Sequence, residues 1–209
     1  MNYDKIIDIS PLINSQLAVW PGDIGFSQNI QMNIQEGSHL HLSSIETTLH
    51  LGAHADSPLH YNPQGEDVSQ RSLNYYIGPC QVIDVSGAKR EIQLSDFKLE
   101  EVHVERVLFK TLSYKDLKVF KEDFVAFSPK TLEALAEKGV KLVGIDTPSV
   151  DVFDSKSLPS HQVLNKNNMA NLEGLVLDHV PEGKYTLVAL PLKIQGADAS
   201  PVRAVLLSV

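Results

Sequence analysis

The chain has 209 residues, of which 43% are hydrophobic and 21% charged. That is ordinary globular usage and excludes extensive disorder. The formal charge is −8, from 18 basic and 26 acidic residues, which argues against binding driven by phosphates or anionic membrane surfaces, since both depend on positive charge. One domain spanning residues 1–209 is expected, with a core large enough to fold without a structural metal. The single cysteine, Cys80, excludes an internal disulfide and a Cys-based zinc site, and it reads as a small buried hydrophobe. Met1–Lys5 lacks signal-peptide features, and no apolar run approaches the ~20 residues of a spanning helix, so a cytoplasmic location is expected.

In chain order, Ile6–Ile9 reads as a short strand and Val19-Trp20-Pro21-Gly22-Asp23 as a loop, because Pro-Gly punctuates turns. Gln28–Ile34 alternates polar and apolar residues like a half-buried strand, and Ser43–His50 is rich in β-branched residues. Cys80–Val85, Arg106–Thr111, Leu142–Ile145, Leu175–Leu177, Tyr185–Leu192 and Arg203–Val209 are further strands. Pro129–Lys138 is the clearest helix: Ser128 suits the N-cap, Pro129 the first turn and Gly139 the C-terminal stop. Ser95–Val102 reads as a shorter helix, and Ser157–His161 as a loop running into polar Asn165–Asn168. The pattern predicts an α/β domain, strand-rich, with a few flanking helices.

The informative segment is His50-Leu51-Gly52-Ala53-His54-Ala55-Asp56-Ser57-Pro58-Leu59-His60. His50, His54, Asp56 and His60 share one parity, so an extended chain points all four to one face. Small neighbours leave room beside them, and imidazoles with a carboxylate suit zinc, manganese or ferrous iron. The pattern is not that of the HExxH zinc peptidases, since no glutamate lies between the histidines. His39 and His41 read as one wet strand face, and His103 and His179 as structural. By composition alone His161 is an unassigned loop residue and Glu173 an exposed loop acid. No Gly-x-Ser-x-Gly elbow, Walker loop or dinucleotide fingerprint occurs.

The His50–His60 run resembles the HxGTHxDxPxH signature of the metal-dependent cyclase/hydrolase family, with Ala53 where most members carry Thr. The resemblance continues through Trp20-Pro21-Gly22-Asp23, Gly144–Asp151, Asn171-Leu172-Glu173-Gly174-Leu175 and Gly196–Ala204, and the wording is nearest that of the formamidase branch. It implies a swivelling β/β/α fold, a homodimer or larger assembly, and two divalent ions, usually zinc, per subunit. By motif position His50, His54, Asp56, His161 and Glu173 would hold the metals, with Asp56 and Glu173 bridging. His60 would donate or accept the proton, and Trp20 would pack on the substrate's aromatic ring. The implied reaction is hydrolysis of N-formyl-L-kynurenine to L-kynurenine and formate, in tryptophan degradation. A related amidase or lactam hydrolase, and a metal- or ligand-binding module without catalysis, are the alternatives. Ala53 puts one hydrogen bond behind the metal ligands in doubt. Arg203 is a candidate partner for a substrate carboxylate, with a structural ion pair the competing reading.

Overall fold

The computed structural model describes residues 4–208. Met1–Tyr3, which carry most of the N-terminal reading, and Val209, the last position of the final predicted strand, lie outside that range. The strands are β1 (Lys5–Asp8), β2 (Ser27–Met32), β3 (Leu42–Glu46), β4 (His54–Asp56), β5 (Ile77–Asp84), β6 (Glu91–Ile92), β7 (Arg106–Lys110), β8 (Ala126–Phe127), β9 (Leu142–Ile145), β10 (Ala170–Glu173), β11 (Gly183–Val188), β12 (Ala199–Pro201) and β13 (Val205–Ser208). The α-helices among the described residues are α1 (Pro129–Glu137) and α2 (Pro159–Lys166). The strand-rich α/β architecture with few helices is the one expected.

Nine strands form one mixed sheet in the order β1-β13-β11-β5-β7-β9-β10-β4-β12. Its middle, β5-β7-β9-β10, is parallel, and its flanks are antiparallel. Parallel strands are buried on both faces, and Arg106–Lys110 and Leu142–Ile145 are buried throughout. One face packs on Tyr76, Val82, Leu108, Leu172, Leu187 and Leu206. The other packs on Phe109, Phe127, Val143, Ile145 and the helices' Leu132, Leu135 and Leu164. Helix α1 starts where its sequence signals say: Ser128 Oγ accepts from Thr131 N–H at 3.3 Å, and Pro129 opens the first turn.

Five expectations are corrected. Ser95–Val102 is two 3₁₀ turns, Leu94–Asp96 and Leu99–Glu101, rather than an α-helix. Leu175 and Leu177 are buried, but Leu175–Leu177 is not a strand. The strand is Ala170–Glu173, and it stops where Gly174 turns to φ +64°. Ser157–His161 is not all loop, because helix α2 begins at Pro159, and proline suits a first helical turn. Ser43–His50 stops being a strand at Glu46, and β2, expected to be half-buried, is exposed along nearly all its length. Among the described residues it pairs with β3 alone, and both strands are exposed.

Candidate metal centre

Two neighbouring strands build the floor of the site. β4 and β10 are antiparallel, with His54 opposite Glu173 and Ala55 opposite Leu172. Alternation then sends Ala55 and Leu172 into the apolar core and His54, Asp56, Asn171 and Glu173 to the other face. Asn171 Nδ2 donates to Asp56 Oδ2 at 2.7 Å and to Glu173 Oε1 at 3.0 Å, and Val150 N–H donates to Glu173 Oε1 at 2.9 Å. Both acids are thus held at fixed angles in a buried setting.

The close approach of the strands depends on two glycines. Gly174 lies at φ +64°, and a Cβ there would collide with the Gly52 carbonyl. Gly52 lies at φ +56°, and its Cβ would sit 2.8 Å from Pro11 Cγ. Any other residue at either position is strained in this backbone region. The freed Gly52 carbonyl accepts from His54 Nδ1 at 3.0 Å.

Helix α2 delivers His161 over this floor. Its first-turn N–H groups at Ser160 and His161 donate to Asp151 at 2.9 and 3.0 Å, and His161 Nδ1 donates to Asp151 Oδ2 at 2.7 Å. His161 Nε2 then faces Asp56 Oδ2 at 3.3 Å and Glu173 Oε1 at 3.6 Å. His54 Nε2 lies 3.4 Å from both Asp56 Oδ1 and Glu173 Oε2, and His50 Nδ1 lies 3.1 Å from Asp56 Oδ1. The five expected ligands therefore converge. They do so through two strands, a helix and a bend, not through one extended segment, since only His54–Asp56 of the His50–His60 run is strand.

Burial opposes charging these groups, but mutual pairing overrides it. The carboxylates of Asp198 and Asp56 lift His50 to about 9 against its burial, and those of Asp56 and Glu173 lift His54 to about 10. His161 is likewise raised by Asp151, Asp56 and Glu173. Asp56 is held well below the ordinary carboxylate range by the three histidines around it, and Glu173 is lowered by His161 and His54. Without a metal, protons on imidazole supply the positive charge the acids require.

The donor set fits a divalent metal. His54 Nε2 and Asp56 Oδ1 are buried without a hydrogen-bond partner, a costly state that a cation relieves. With Nδ1 of His54 and of His161 committed to Gly52 and Asp151, each Nε2 is the nitrogen left to offer a lone pair to a metal, the usual outer support of a metal-bound histidine. His50, His54 and Asp56 can place ligand atoms within 4.8 Å of one another. Ala53 points the other way, into the apolar core, so the hydroxyl its Thr counterpart would carry is remote from the ligands.

A cavity of about 630 Å³ opens above the acids and is lined by Trp20, Tyr114, Leu117, Phe120, His60 and Asp198, among others, a size suited to a small organic ligand. The Trp20 ring lies 5.0 Å from Phe153 at 32° and edge-on to Phe120 at 5.2 Å. His60 sits in a one-turn 3₁₀ helix at the mouth, with its ring centroid 4.3 Å from that of His50. Arg203 is outside the cavity and pairs with Asp8 at 2.7 Å, so the structural ion pair is what is present. His39 and His41 are exposed before β3. The sequence reading missed Asp151, Asn171 and Asp198, each of which touches a ligand. All three lie in segments that carry the family resemblance, but only packing shows what they reach.

The fold and this cluster define the pocket of a hydrolase whose donor set suits a metal, and the comparisons support the hydrolase class. The cyclase family model matches residues 7–152, and the chain belongs to that family. Among its relatives, the kynurenine formamidase of Delftia acidovorans is 43% identical and that of Sphingopyxis alaskensis 42%, each over 97% of both chains. A solved structure described as a potential metal-dependent hydrolase with cyclase activity superimposes with a TM-score of 0.84, at 29% identity over 98% of both chains.

Proposed function

We propose that this chain is an arylformamidase that hydrolyses N-formyl-L-kynurenine to L-kynurenine and formate. The observation that carries the reading is the meeting of unpartnered, buried His54 Nε2 and Asp56 Oδ1 at the foot of an aromatic-walled cavity. The names of two relatives more than 40% identical over 97% of the chain support the substrate. His50, His54, Asp56, His161 and Glu173 would hold two divalent ions, zinc in the proposal, with Asp56 and Glu173 shared between them. When bound, the ions would lower the pKa of a water to about 7 and polarise the formyl oxygen.

The chain's own residues do the rest. Trp20, with Tyr114 and Phe120 on the same wall, holds the aryl ring, and stacking of this kind gives orientation as well as burial. Buried acids keep the reacting centre at fixed positions. An anilide nitrogen leaves poorly as an anion, so it needs a proton as the C–N bond breaks, and His60 at the mouth supplies it. The same reading places the chain in the cytoplasm and treats residues 1–209 as one domain, the latter supported by the pairing of the first strand, β1, with the last, β13. It also makes the molecule a homodimer, supported by the exposed apolar side chains of the β2–β3 hairpin.

The test is turnover of N-formyl-L-kynurenine with metal analysis on the same sample, before and after dialysis against a chelator. Activity that disappears with the metal and returns with added zinc is expected. Turnover that survives verified metal removal would reject the mechanism.

A further inference from the structure

Asp198 is a cavity acid outside the ligand set just described. It lies in the turn before β12, next to the strand that carries His54 and Asp56. Its carbonyl accepts from Ser57 N–H at 2.8 Å and from Ser57 Oγ at 3.0 Å, so its part in the fold is carried by its main chain. Its carboxylate is thereby free to span the cavity mouth, where Oδ2 lies 3.0 Å from His50 Nε2 and 3.4 Å from His60 Nδ1. Among the described residues, Asp198 supplies the carboxylate found within ion-pair distance of His60.

We propose that Asp198 is the positioning residue for His60: it accepts from Nδ1–H, fixes the ring and its tautomer, and leaves Nε2 to exchange the proton with substrate. This rests on the amide hydrolysis proposed above. In that step a water oxygen bonds to the formyl carbon, and the C–N bond breaks with its electron pair on nitrogen. The nitrogen takes the Nε2 proton, and the imidazole recovers one from the same water. A carboxylate behind a proton-transferring imidazole acts by orientation and by stabilising the imidazolium, not by taking the proton itself.

The role is read with two formyl compounds. N-Formyl-L-kynurenine releases an amine that must be protonated, whereas 4-nitrophenyl formate releases a phenolate that need not be. Asp198→Asn and Asp198→Ala should lower kcat on the formamide ~10–100-fold, part of the ~10²–10⁴ that general acid help supplies. Ester hydrolysis, taken per bound metal because Asp198 also touches the ligand His50, should fall less than ~3-fold, with KM for the formamide near wild type. In a His60→Ala background, adding Asp198→Asn should cost less than ~2-fold, because residues acting as a unit are not additive. Equal losses on both compounds, or a full additional loss in the His60→Ala background, would overturn the proposal. A loss on the formamide that metal content alone accounts for would overturn it too, since Asp198 would then serve His50 only. Wild-type protein that cleaves the ester but not the formamide would instead overturn the proposed function.

Discussion

At the scale of single residues, His60 and Asp56 occupy opposite situations. His60 is part-exposed at the mouth and touches the site through Asp198 and the His50 ring. Asp56 is fully buried, with His50, His54, His161 and Asn171 around it. His60→Ala should therefore keep its metal and lose ~10²–10⁴-fold in kcat, the usual range for general acid help. Turnover and metal content measured together check this, and loss of metal would count against the division of roles. Asp56→Asn should lose metal, because the amide is neutral and offers one oxygen where the acid offers two. Atomic emission on the purified variant reads the outcome, and full occupancy would end the bridging assignment.

At the scale of elements, the site depends on how closely β4 and β10 approach. Gly174 ends β10 at φ +64°, and the carbonyl it spares at Gly52 holds the His54 ring. Gly174→Ala should destabilise the fold by ~1–3 kcal/mol, the usual range for a side chain forced into such backbone. It should also weaken metal binding by turning His54. Thermal melts with and without metal separate the two effects, and a variant with unchanged Tm and occupancy would contradict the close-approach argument. Helix α2 matters for the same reason, since its first turn and His161 share one acceptor, Asp151. Leu158, the residue before it, sits at φ +48° in the cavity wall.

At the scale of the whole molecule, the cluster's charge sets the pH response of the metal-free chain. His50 and His54 are raised to about 9 and 10 from 6.5. A raised histidine contributes stability that is fully present below pH 6.5 and is lost as pH rises through the folded value. The Tm of chelator-treated protein should thus fall from pH 6.5 to about 10, while zinc occupancy rises with pH as protons leave the ligands. A melt series across that range gives the sign directly, and a rising Tm would refute the assignment. The β2–β3 hairpin is the other whole-molecule feature. Ile30, Leu42 and Ile45 are 50%, 51% and 64% exposed, and an isolated two-stranded hairpin is marginal in water. Sedimentation should show a dimer or larger species, and Ile45→Asp should shift it toward monomer. A wild-type monomer would remove the assembly from the proposal.

Much of this was legible in the residues themselves. The His50–His60 spacing, its small neighbours, and the cap-and-stop signals of Ser128, Pro129 and Gly139 are local, and local chemistry fixes them. The buried strands Arg106–Lys110 and Leu142–Ile145 announce themselves by apolar content. His161 and Glu173 became candidates only through resemblance to a family, because nothing beside them in sequence marks them as ligands. Their meeting with Asp56 is decided by the antiparallel register of β4 on β10 and by α2 lying over both, contacts between segments some 100 residues apart. Asp151, Asn171 and Asp198 are further cases, since an acid or amide shows its partner only once strands pair. Local propensity determined the elements and the ligand types. Tertiary packing alone decided which side chains share a site, because that depends on register and burial between distant segments.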